Sequence, residues 1–355
     1  MQELRIELTR NPKDKPVDES KLGFGRIFTD HMFMMDYTSE KGWYDPRIVP
    51  YAPLEMDPSS MVLHYGQSIF EGLKAYRGVD GKIRLFRPEK NMHRMNVSCE
   101  RVSLPTVDEA FALECLEKLV ETEKDWVPHS DGTSLYLRPF VFGVDNHVGV
   151  HPSDHVLFMI ICSPVGAYYP TGMDPVKIYV EKNYVRAVRG GAGFAKAAAN
   201  YALSLKSQEE AEAQNYSQVL WLDGIERRYI EEVGTMNVFF RFGDEIVTPA
   251  LQGSILSGIT RMSCIELLES WGYKVTERSI AIDEVYEAWK SGKLTEAFGS
   301  GTAAVISPIG QLKWGDELME IGGGKIGELS QRLFDGLTGI QWGKLPDSYD
   351  WTVEV

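Results

Sequence analysis

A lysine at the end of a glycine-rich stretch is the first residue whose surroundings suggest chemistry. The stretch reads Gly190-Gly191-Ala192-Gly193-Phe194-Ala195-Lys196, and three alanines follow it. A phosphate-binding loop of the ATPase type needs glycine directly before the lysine and serine or threonine directly after it, but alanine occupies both places. The dinucleotide-binding fingerprint also fails, because Lys196 stands where its third glycine belongs. Both nucleotide-binding interpretations are therefore disfavoured.

The small apolar neighbours of Lys196 suit an amine that forms an imine. Lysine is a nucleophile only when it is neutral, and a desolvated pocket favours the neutral form. Small side chains also leave room for a bulky cofactor ring. A surface lysine beside a flexible turn would have the same local sequence, so this prediction needs support from elsewhere in the chain.

Three later segments supply that support. Glu231 and Glu232 come directly before an apolar strand, and a carboxylate in a dry site can keep a pyridine nitrogen protonated. Residues 256–261 lie at the start of a predicted helix, where unpaired N–H groups form an anion site. Residues 299–302 (GSGT) offer a second turn with exposed amides and a hydroxyl. A strand end, a helix cap and a hairpin are the structural alternatives, but the combination favours a functional site.

Between Glu232 and Arg261 the chain resembles the complete signature of the class IV aminotransferases. The matching residues are Glu232, Gly234, Asn237-Val238-Phe239, Ile246-Val247-Thr248 and Leu256-Ser257-Gly258-Ile259-Thr260-Arg261. The resemblance covers nearly the whole chain and narrows to the branched-chain amino-acid aminotransferases. The further blocks that carry it are residues 24–32 (FGRIFTDHM), 63–72 (LHYGQSIFEG), 85–88 (LFRP), 91–95 (NMHRM), 134–139 (SLYLRP), 218–222 (QVLWL) and 297–302 (AFGSGT).

The resemblance implies pyridoxal 5′-phosphate as the cofactor. Lys196 would bind it covalently and would then move a proton between the substrate Cα and the cofactor C4′. Glu232 would pair with the pyridine nitrogen, and Tyr201 would hydrogen-bond the ring oxygen O3′. The residues implied to hold the phosphate, by charge or by backbone and hydroxyl donors, are Arg94, Ile259, Thr260 and Thr302.

The resemblance also implies a substrate pocket. The amides of Thr302 and Ala303 would bind the substrate carboxylate, and Arg138 would contact the acidic side chain of glutamate. Tyr65 and Val150 would reach in from the partner subunit of an obligate homodimer. The residues implied to line the apolar pocket are Phe24, Phe70, Tyr136, Tyr168, Tyr201 and Thr235.

The implied enzyme is a branched-chain-amino-acid transaminase. It would convert L-leucine, L-isoleucine and L-valine, with 2-oxoglutarate, into branched-chain 2-oxo acids and L-glutamate. A D-amino-acid transaminase and an aminodeoxychorismate lyase are alternatives, and residues 136–138 (YLR) and 234–236 (GTM) argue against both. A non-catalytic, ligand-binding relative is disfavoured because Lys196 and Glu232 are both present.

Two departures from the family pattern stand out. Ala197-Ala198-Ala199 replaces the paired glycines that the family more often has before Asn-Tyr, which concerns the local backbone only. The animal enzymes carry a CxxC motif after the GSGT turn, where this chain has Ala304 and Ser307. We therefore expect no thiol-based redox regulation.

The elements that must position these residues predict an α+β fold, because strands and helices interleave irregularly. The resemblance implies a two-domain fold-type IV enzyme, with a smaller N-terminal α/β domain (1–166) and a larger C-terminal pseudo-barrel domain that binds the cofactor (176–355). Residues 167–175, with two prolines, form the predicted linker. Residues 62–65 are predicted as a strand, and residues 88–101 and 200–214 as helices.

Composition excludes several other functions. The net charge of −14 disfavours nucleic-acid binding, and the longest apolar run, residues 156–162, is too short to cross a bilayer. Four scattered cysteines and no signal peptide favour a cytoplasmic protein. His147, His151 and His155 have a helical metal-site spacing, but Gly149 and Pro152 interrupt it, so no metal site is predicted.

Overall fold

The structure is a computed structural model that describes residues 3–166 and 172–355. The described residues fall into two compact units. The first unit contains residues 3–166, 195–199 and 339–355, and the second contains residues 172–194 and 200–338. The α+β class predicted from the sequence is confirmed, since each unit combines one mixed sheet with helices. Residues 167–171 of the predicted linker lie outside the described residues.

The first unit is built on a sheet of nine strands. Its strand order is β1-β3-β2-β8-β7-β5-β6-β18, with β4 paired to β7, and only β1 and β3 pair in parallel. The strands are β1 (Arg5–Ile6), β2 (His31–Thr38), β3 (Gly42–Pro50), β4 (Ser68–Phe70), β5 (Leu73–Arg77), β6 (Ile83–Phe86), β7 (Ser134–Gly143), β8 (His155–Val165) and β18 (Thr352–Glu354).

Three helices accompany this sheet: α1 (Met61–Tyr65), α2 (Pro88–Arg101) and α3 (Glu109–Thr122). Helix α2 has the predicted bounds; proline at its first position suits the first turn of a helix. Asp108 caps α3 by accepting a 2.8 Å hydrogen bond from the Phe111 N–H. The apolar faces of α2 and α3 pack with the sheet strands into one core, and short 3-10 helices occur at Glu19–Lys21 and Lys124–Trp126.

The strand predicted at residues 62–65 is wrong, because these residues belong to helix α1. Gly66 ends the helix in the left-handed conformation (φ 59°) and donates its N–H to the Val62 carbonyl at 3.1 Å. This glycine closure stabilises a single helical turn. The β-branched and aromatic residues of the segment favoured a strand, but the closure at Gly66 decides the conformation.

The second unit also contains a nine-stranded mixed sheet. Its order is β11-β10-β9-β16-β15-β12-β13-β14, with β17 paired to β16. Strand β9 pairs in parallel with β10 and β16, and β13 pairs in parallel with β14. The strands are β9 (Val176–Val180), β10 (Gln218–Leu222), β11 (Ile230–Val233), β12 (Asn237–Phe242), β13 (Glu245–Thr248), β14 (Lys274–Glu277), β15 (Leu294–Gly301), β16 (Val305–Trp314) and β17 (Glu317–Glu320).

The helix predicted at residues 200–214 is two shorter helices, α4 (Ala198–Ala202) and α5 (Leu205–Glu212). At the break, the Ser204 N–H and Ser204 Oγ both donate to the Tyr201 carbonyl, at 3.1 and 2.7 Å. A serine that bonds a nearby carbonyl in this way competes with the helical ladder. The remaining helices are α6 (Ile259–Ser270), α7 (Ile282–Lys290), α8 (Glu328–Gln341) and a 3-10 turn at Gly322–Gly324.

None of the helices in the described part of the chain combines the length and the apolar character that crossing a membrane requires.

Candidate active site

In the first unit, the backbone around Lys196 is anchored to β4 and α2. The Phe70 N–H donates to the Lys196 carbonyl at 3.1 Å, and the neighbouring residue Ala197 forms a β-bridge with Ile69. The Lys196 N–H donates to Ser98 Oγ at 2.9 Å, and that hydroxyl donates to the Arg94 carbonyl at 2.9 Å. Two elements therefore fix the main chain from which the predicted catalytic amine projects.

Five of the predicted site residues form one series of contacts that includes the Phe70 ring. Lys196 Nζ lies 4.8 Å from the ring centroid, and the Arg138 guanidinium carbon lies 4.5 Å from it. Arg138 also donates to the Tyr136 hydroxyl at 2.9 Å, and the Tyr136 ring packs against Phe24 with centroids 4.9 Å apart. The first unit therefore brings an amine, a guanidinium group and three aromatic rings into one cluster.

Arg94 is held by a carboxylate that the sequence analysis did not single out. Arg94 Nε and NH2 donate to the two oxygens of Glu71 at 2.7 and 2.8 Å, and Asn91 Nδ2 donates to Glu71 Oε2 at 2.8 Å. Glu71 is 0% exposed. Such a two-pronged pair is the geometry in which arginine binds a carboxylate most strongly.

The charge state of Glu71 follows from these contacts. Burial alone would raise the pKa of the Glu71 carboxyl. The positive charge and hydrogen bonds of Arg94, together with Lys196 and Asn91, outweigh burial and hold that pKa below its ordinary value. Glu71 is therefore an anion at neutral pH, and its charge acts on Arg94 and Lys196 together.

In the second unit, Glu232 lies buried beside a small cleft. The Leu256 N–H donates to Glu232 Oε1 at 2.8 Å, and Arg186 NH2 lies 3.3 Å from the same oxygen. The cleft brings together three predicted site residues, Tyr201, Glu232 and Thr235. The residues that line the cleft are Arg186, Asn200, Tyr201, Ser204, Glu232, Gly234 and Thr235.

The neighbouring carboxyl, Glu231, has a different environment. Ser254 Oγ donates a short hydrogen bond to Glu231 Oε1, and Glu231 Oε2 is buried with no hydrogen-bond partner among the described residues. Burial raises the pKa of Glu231; Ser254 and Arg186 act against this, and the charge of Glu232 adds to it. The two adjacent glutamates therefore have different partners: Glu231 accepts from Ser254, whereas Glu232 accepts from the Leu256 N–H and lies close to Arg186.

The start of α6 has the features of an anion site. Gly258 precedes the helix and supplies no side-chain cap to its first N–H groups, which belong to Ile259 and Thr260. A Cβ at Gly258 would lie 2.0 Å from Asn237 Oδ1, so the position excludes larger residues. Asn237 Nδ2 also donates to the Leu256 carbonyl at 2.9 Å and thereby fixes the segment before the helix.

The second segment predicted to bind the phosphate is the turn between β15 and β16. Thr302 and Ala303 lie in this turn and are half-buried. Ser300, at the end of β15, is buried, and its Oγ has no hydrogen-bond partner in the described part of the chain. The turn therefore brings Thr302 and Ala303 next to the buried Ser300 at one end of β15.

The residues predicted to act from a partner subunit lie on the surface of the first unit. Tyr65 is 44% exposed and Val150 is 83% exposed. The Tyr65 hydroxyl donates to the Val148 carbonyl at 3.3 Å, which connects α1 to the loop that carries Val150. Tyr168 lies outside the described residues.

One of the histidines considered for a metal site, His151, has contacts of its own. His151 contacts Asp145 Oδ2 at 2.8 Å through Nε2 and the Gly149 carbonyl at 2.7 Å through Nδ1. Across residues 3–166 and 172–355, the structure contains no cluster of His, Cys, Asp or Glu able to hold a metal ion.

Sequence reasoning missed Glu71, Ser98 and Arg186. Glu71 lies inside one of the blocks that carry the resemblance, so the pattern contained a signal without indicating its partner. Ser98 is one helical turn after Arg94 on α2. Arg186 belongs to none of the motifs, and only the fold brings it to Glu232.

Comparisons with known proteins agree with the resemblance. The profile of the family described as "Amino-transferase class IV" matches residues 68–312. The chain is 58% identical over 354 residues to "Branched-chain-amino-acid aminotransferase 2" of Bacillus subtilis (strain 168), covering 100% of this chain and 97% of that protein.

Solved structures agree as well. The branched-chain amino acid aminotransferase of Escherichia coli has a TM-score of 0.76 and 26% identity, covering 91% of this chain and 98% of that chain. The fold alone is shared with the branched-chain amino acid aminotransferase of Thermobaculum terrenum in its PLP-form (holo-form), at a TM-score of 0.73, 22% identity and coverage of 91% and 97%. The two-domain fold-type IV prediction is confirmed. The chain belongs to the class IV aminotransferase family and, within it, to the branched-chain-amino-acid aminotransferases.

Proposed function

We propose that this enzyme transfers the amino group of L-leucine, L-isoleucine or L-valine to 2-oxoglutarate, with pyridoxal 5′-phosphate as its cofactor. The products are the branched-chain 2-oxo acids and L-glutamate. The observation that carries the proposal is the cluster around Phe70, where apolar rings lie beside the Lys196 amine and the Arg138 guanidinium. Such a cluster offers burial to a branched side chain and a cation to an acidic one.

The residues present fit the chemistry of pyridoxal phosphate. The buried carboxylate of Glu232 shares its cleft with Tyr201, and the first N–H groups of α6 lack a side-chain cap. Gly258 leaves no space for a Cβ beside these groups. The residues proposed to hold the cofactor are Lys196 at its aldehyde carbon, Glu232 at the pyridine nitrogen, Tyr201 at O3′, and Arg94, Ile259, Thr260 and Thr302 at the phosphate.

Bound pyridoxal phosphate supplies a conjugated ring that withdraws electrons from the substrate Cα. Lys196 Nζ carries a proton between that Cα and C4′ of the cofactor. The anchored main chain of Lys196 limits the positions that this amine can reach. Glu232 keeps the pyridine nitrogen protonated, because a buried anion stabilises the adjacent cation. In support, the fold relative from Thermobaculum terrenum was solved in a PLP-form.

Two kinds of substrate can use one pocket if apolar and charged contacts are separate. Aromatic side chains bury a branched aliphatic group with a gain of roughly 1.5–3 kcal/mol. Arg138 lies against Phe70 and Tyr136, and its Nε is buried with no partner among the described residues. We assign Arg138 to the side-chain carboxylate of glutamate and 2-oxoglutarate, and the amides of Thr302 and Ala303 to the substrate α-carboxylate.

We further propose that the enzyme works as a homodimer in the cytoplasm. The exposed apolar side chains of Leu63, Tyr65, Val148 and Val150, all in the first unit, support a protein–protein contact there. In this proposal Tyr65 and Val150 contribute to the substrate pocket of the partner subunit.

The direct test is an assay of L-glutamate formation from 2-oxoglutarate with each amino acid in turn. We expect turnover with L-leucine, L-isoleucine and L-valine, together with a change of the visible cofactor band when L-leucine is added. Faster turnover with D-alanine than with any of the three would replace the proposal with a D-amino-acid transaminase. A protein with no visible band and no turnover would support a non-catalytic relative.

A further inference from the structure

Arg186 is a buried arginine in the loop after β9, and its terminal nitrogen joins three separate segments. Its side chain is 8% exposed, and NH2 lies 3.3 Å from Glu232 Oε1. The same nitrogen donates a short hydrogen bond to the Ser254 carbonyl and a longer one, 3.5 Å, to the Gly193 carbonyl. One guanidinium group therefore connects the glycine-rich turn, the segment before α6, and the strand that carries Glu232.

The packing around Arg186 limits the movement of its guanidinium group relative to Glu232. A Cβ at Gly193 would lie 2.2 Å from the Ser254 carbonyl oxygen, so the backbone at residue 193 approaches Ser254 this closely only because it is glycine. The Leu256 N–H donates to Glu232 Oε1 at 2.8 Å, next to the arginine. With a backbone donor and a guanidinium on the same oxygen, the carboxyl group of Glu232 has a defined orientation.

The charge of Arg186 matters because Glu232 is buried. Burial disfavours a carboxylate, and a cation within about 4–6 Å favours it. At the neighbouring carboxyl, Glu231, burial raises the pKa despite the hydrogen bond from Ser254 and the charge of Arg186. The two carboxyls are neighbours in the chain, and Glu232 has both the close guanidinium and the Leu256 N–H as partners.

We propose that Arg186 is a positioning residue for transamination, which acts through Glu232 by keeping its carboxylate ionised and oriented toward the pyridine nitrogen of the cofactor. The inference rests on the proposed function, because the partnership of Glu232 with that nitrogen is itself proposed. Arg186 needs no contact with substrate in this role.

The test measures the dissociation constant of pyridoxal phosphate for the apoprotein, by equilibrium dialysis, in variants of Arg186. Arg186→Met should weaken binding roughly 10- to 100-fold, the scale of one hydrogen bond to a charged group. The dissociation constant of Arg186→Lys should lie between those of Arg186→Met and the wild type, because lysine keeps the positive charge but cannot contact all three acceptors. Loss of binding as the pH falls should begin at higher pH in Arg186→Met, because Glu232 takes up a proton more readily.

Arg241→Met is the matched control. Arg241 also lies in the second unit and pairs with a buried glutamate, Glu296, at 3.0 Å, and its other hydrogen bond among the described residues goes to the Gly243 carbonyl. Its replacement should leave cofactor affinity unchanged. Equal losses in Arg186→Met and Arg241→Met would show that Arg186 has a general structural role, and would overturn the proposal.

A double-mutant cycle isolates the path through Glu232. In a Glu232→Gln background, replacing Arg186 with Met should change cofactor affinity by less than about twofold. The same fold-change in both backgrounds would overturn the inference while leaving the proposed function intact. If Arg186→Met does not fold, Arg186→Lys in the two backgrounds gives the same comparison. A wild-type protein that binds no pyridoxal phosphate would overturn both the inference and the proposed function.

Discussion

Each unit of this protein contains a buried arginine–glutamate pair, and the two pairs are built differently. In the first unit, Arg94 and Glu71 form two parallel hydrogen bonds of 2.7 and 2.8 Å, and Glu71 is fully buried. In the second unit, Arg186 and Glu232 meet at a single contact of 3.3 Å, and the arginine also serves two carbonyls. The first pair is closed at its carboxylate, because Arg94 donates to both oxygens of Glu71, whereas the carboxylate of the second pair borders a cleft.

The difference separates the roles of the two carboxylates, while Arg94 keeps its proposed place at the phosphate of the cofactor. A closed, buried pair neutralises both charges, so removing one partner leaves the other uncompensated in a medium of low polarity. The single contact between Arg186 and Glu232 still orients the carboxylate, but it leaves part of that carboxylate able to contact a ligand in the cleft. We therefore expect Glu71 to matter most for folding and Glu232 to matter most for catalysis.

The largest expected effect is the loss of the catalytic amine. Lys196→Ala should have no measurable transamination, because no other group can take the place of the amine, while the thermal midpoint stays close to that of the wild type. Lys206→Ala, which removes an exposed lysine on α5, is the control and should retain full activity. Wild-type turnover in Lys196→Ala would remove Lys196 from the mechanism.

The closed pair gives the largest expected change in stability. Glu71→Ala should lower the free energy of unfolding by about 3–5 kcal/mol, because it leaves Arg94 charged, buried and without its main partner. Denaturant titration of the apoprotein measures this change. A loss no greater than that of Glu232→Ala in the same titration would show that the two pairs are equivalent.

The Arg186–Glu232 pair should show a large change in rate and a small change in stability. At saturating pyridoxal phosphate, Glu232→Ala should still hold the cofactor, with an affinity no higher than that of Arg186→Met, but it should lose about 100-fold or more in rate, the scale on which one electrostatic stabiliser acts. Its unfolding should change less than that of Glu71→Ala, since Arg186 keeps the Ser254 and Gly193 carbonyls as acceptors. An unchanged rate with L-leucine and 2-oxoglutarate would mean that another group pairs with the pyridine nitrogen.

The smallest expected effect concerns the pH dependence of stability. The lowered pKa of Glu71 gives stability that is present above its unfolded-state pKa and is lost as the pH falls through the folded value. The raised pKa of Glu231 gives stability that is present at acid pH and is lost as the pH rises through its folded value.

Glu231→Gln should therefore be more stable than the wild type at neutral pH, because its buried group cannot ionise. The difference should disappear below the unfolded-state pKa, where Glu231 is neutral in both states. Thermal midpoints at neutral and acid pH measure the effect. A variant that is equally destabilised at both pH values would show that a structural contact, and not the ionisation, dominates at this position.

The sequence predicted those elements whose local pattern and end signals agree. Helix α2 was predicted with its observed bounds, because Pro88 marks its start and the buried Met92, Met95 and Cys99 follow a helical period. The segment 62–65 failed because four residues are too few to show a period, and the glycine that follows closes a helical turn. The helix at 200–214 failed at Ser204, whose hydroxyl competes for a backbone carbonyl.

The predictable part of the candidate site is the part that forms sequence motifs. Tyr201, Glu232 and Thr235 were singled out from the sequence, and the structure lines one cleft with all three. Their supports could not be predicted, because Glu71 and Arg186 contact their partners only after distant segments fold together. No periodicity or local spacing relates Arg186 to Glu232, so the pairing emerges only in three dimensions.

The most direct measurement is borohydride reduction of the purified enzyme in its cofactor-bound form, followed by peptide mapping. Borohydride converts the C=N bond between a lysine and pyridoxal phosphate into a stable amine. We predict that the phosphopyridoxyl mass is found on the peptide that contains Lys196 and on no other lysine. A label on a different lysine, or no label at all on a protein that transaminates L-leucine, would contradict the account.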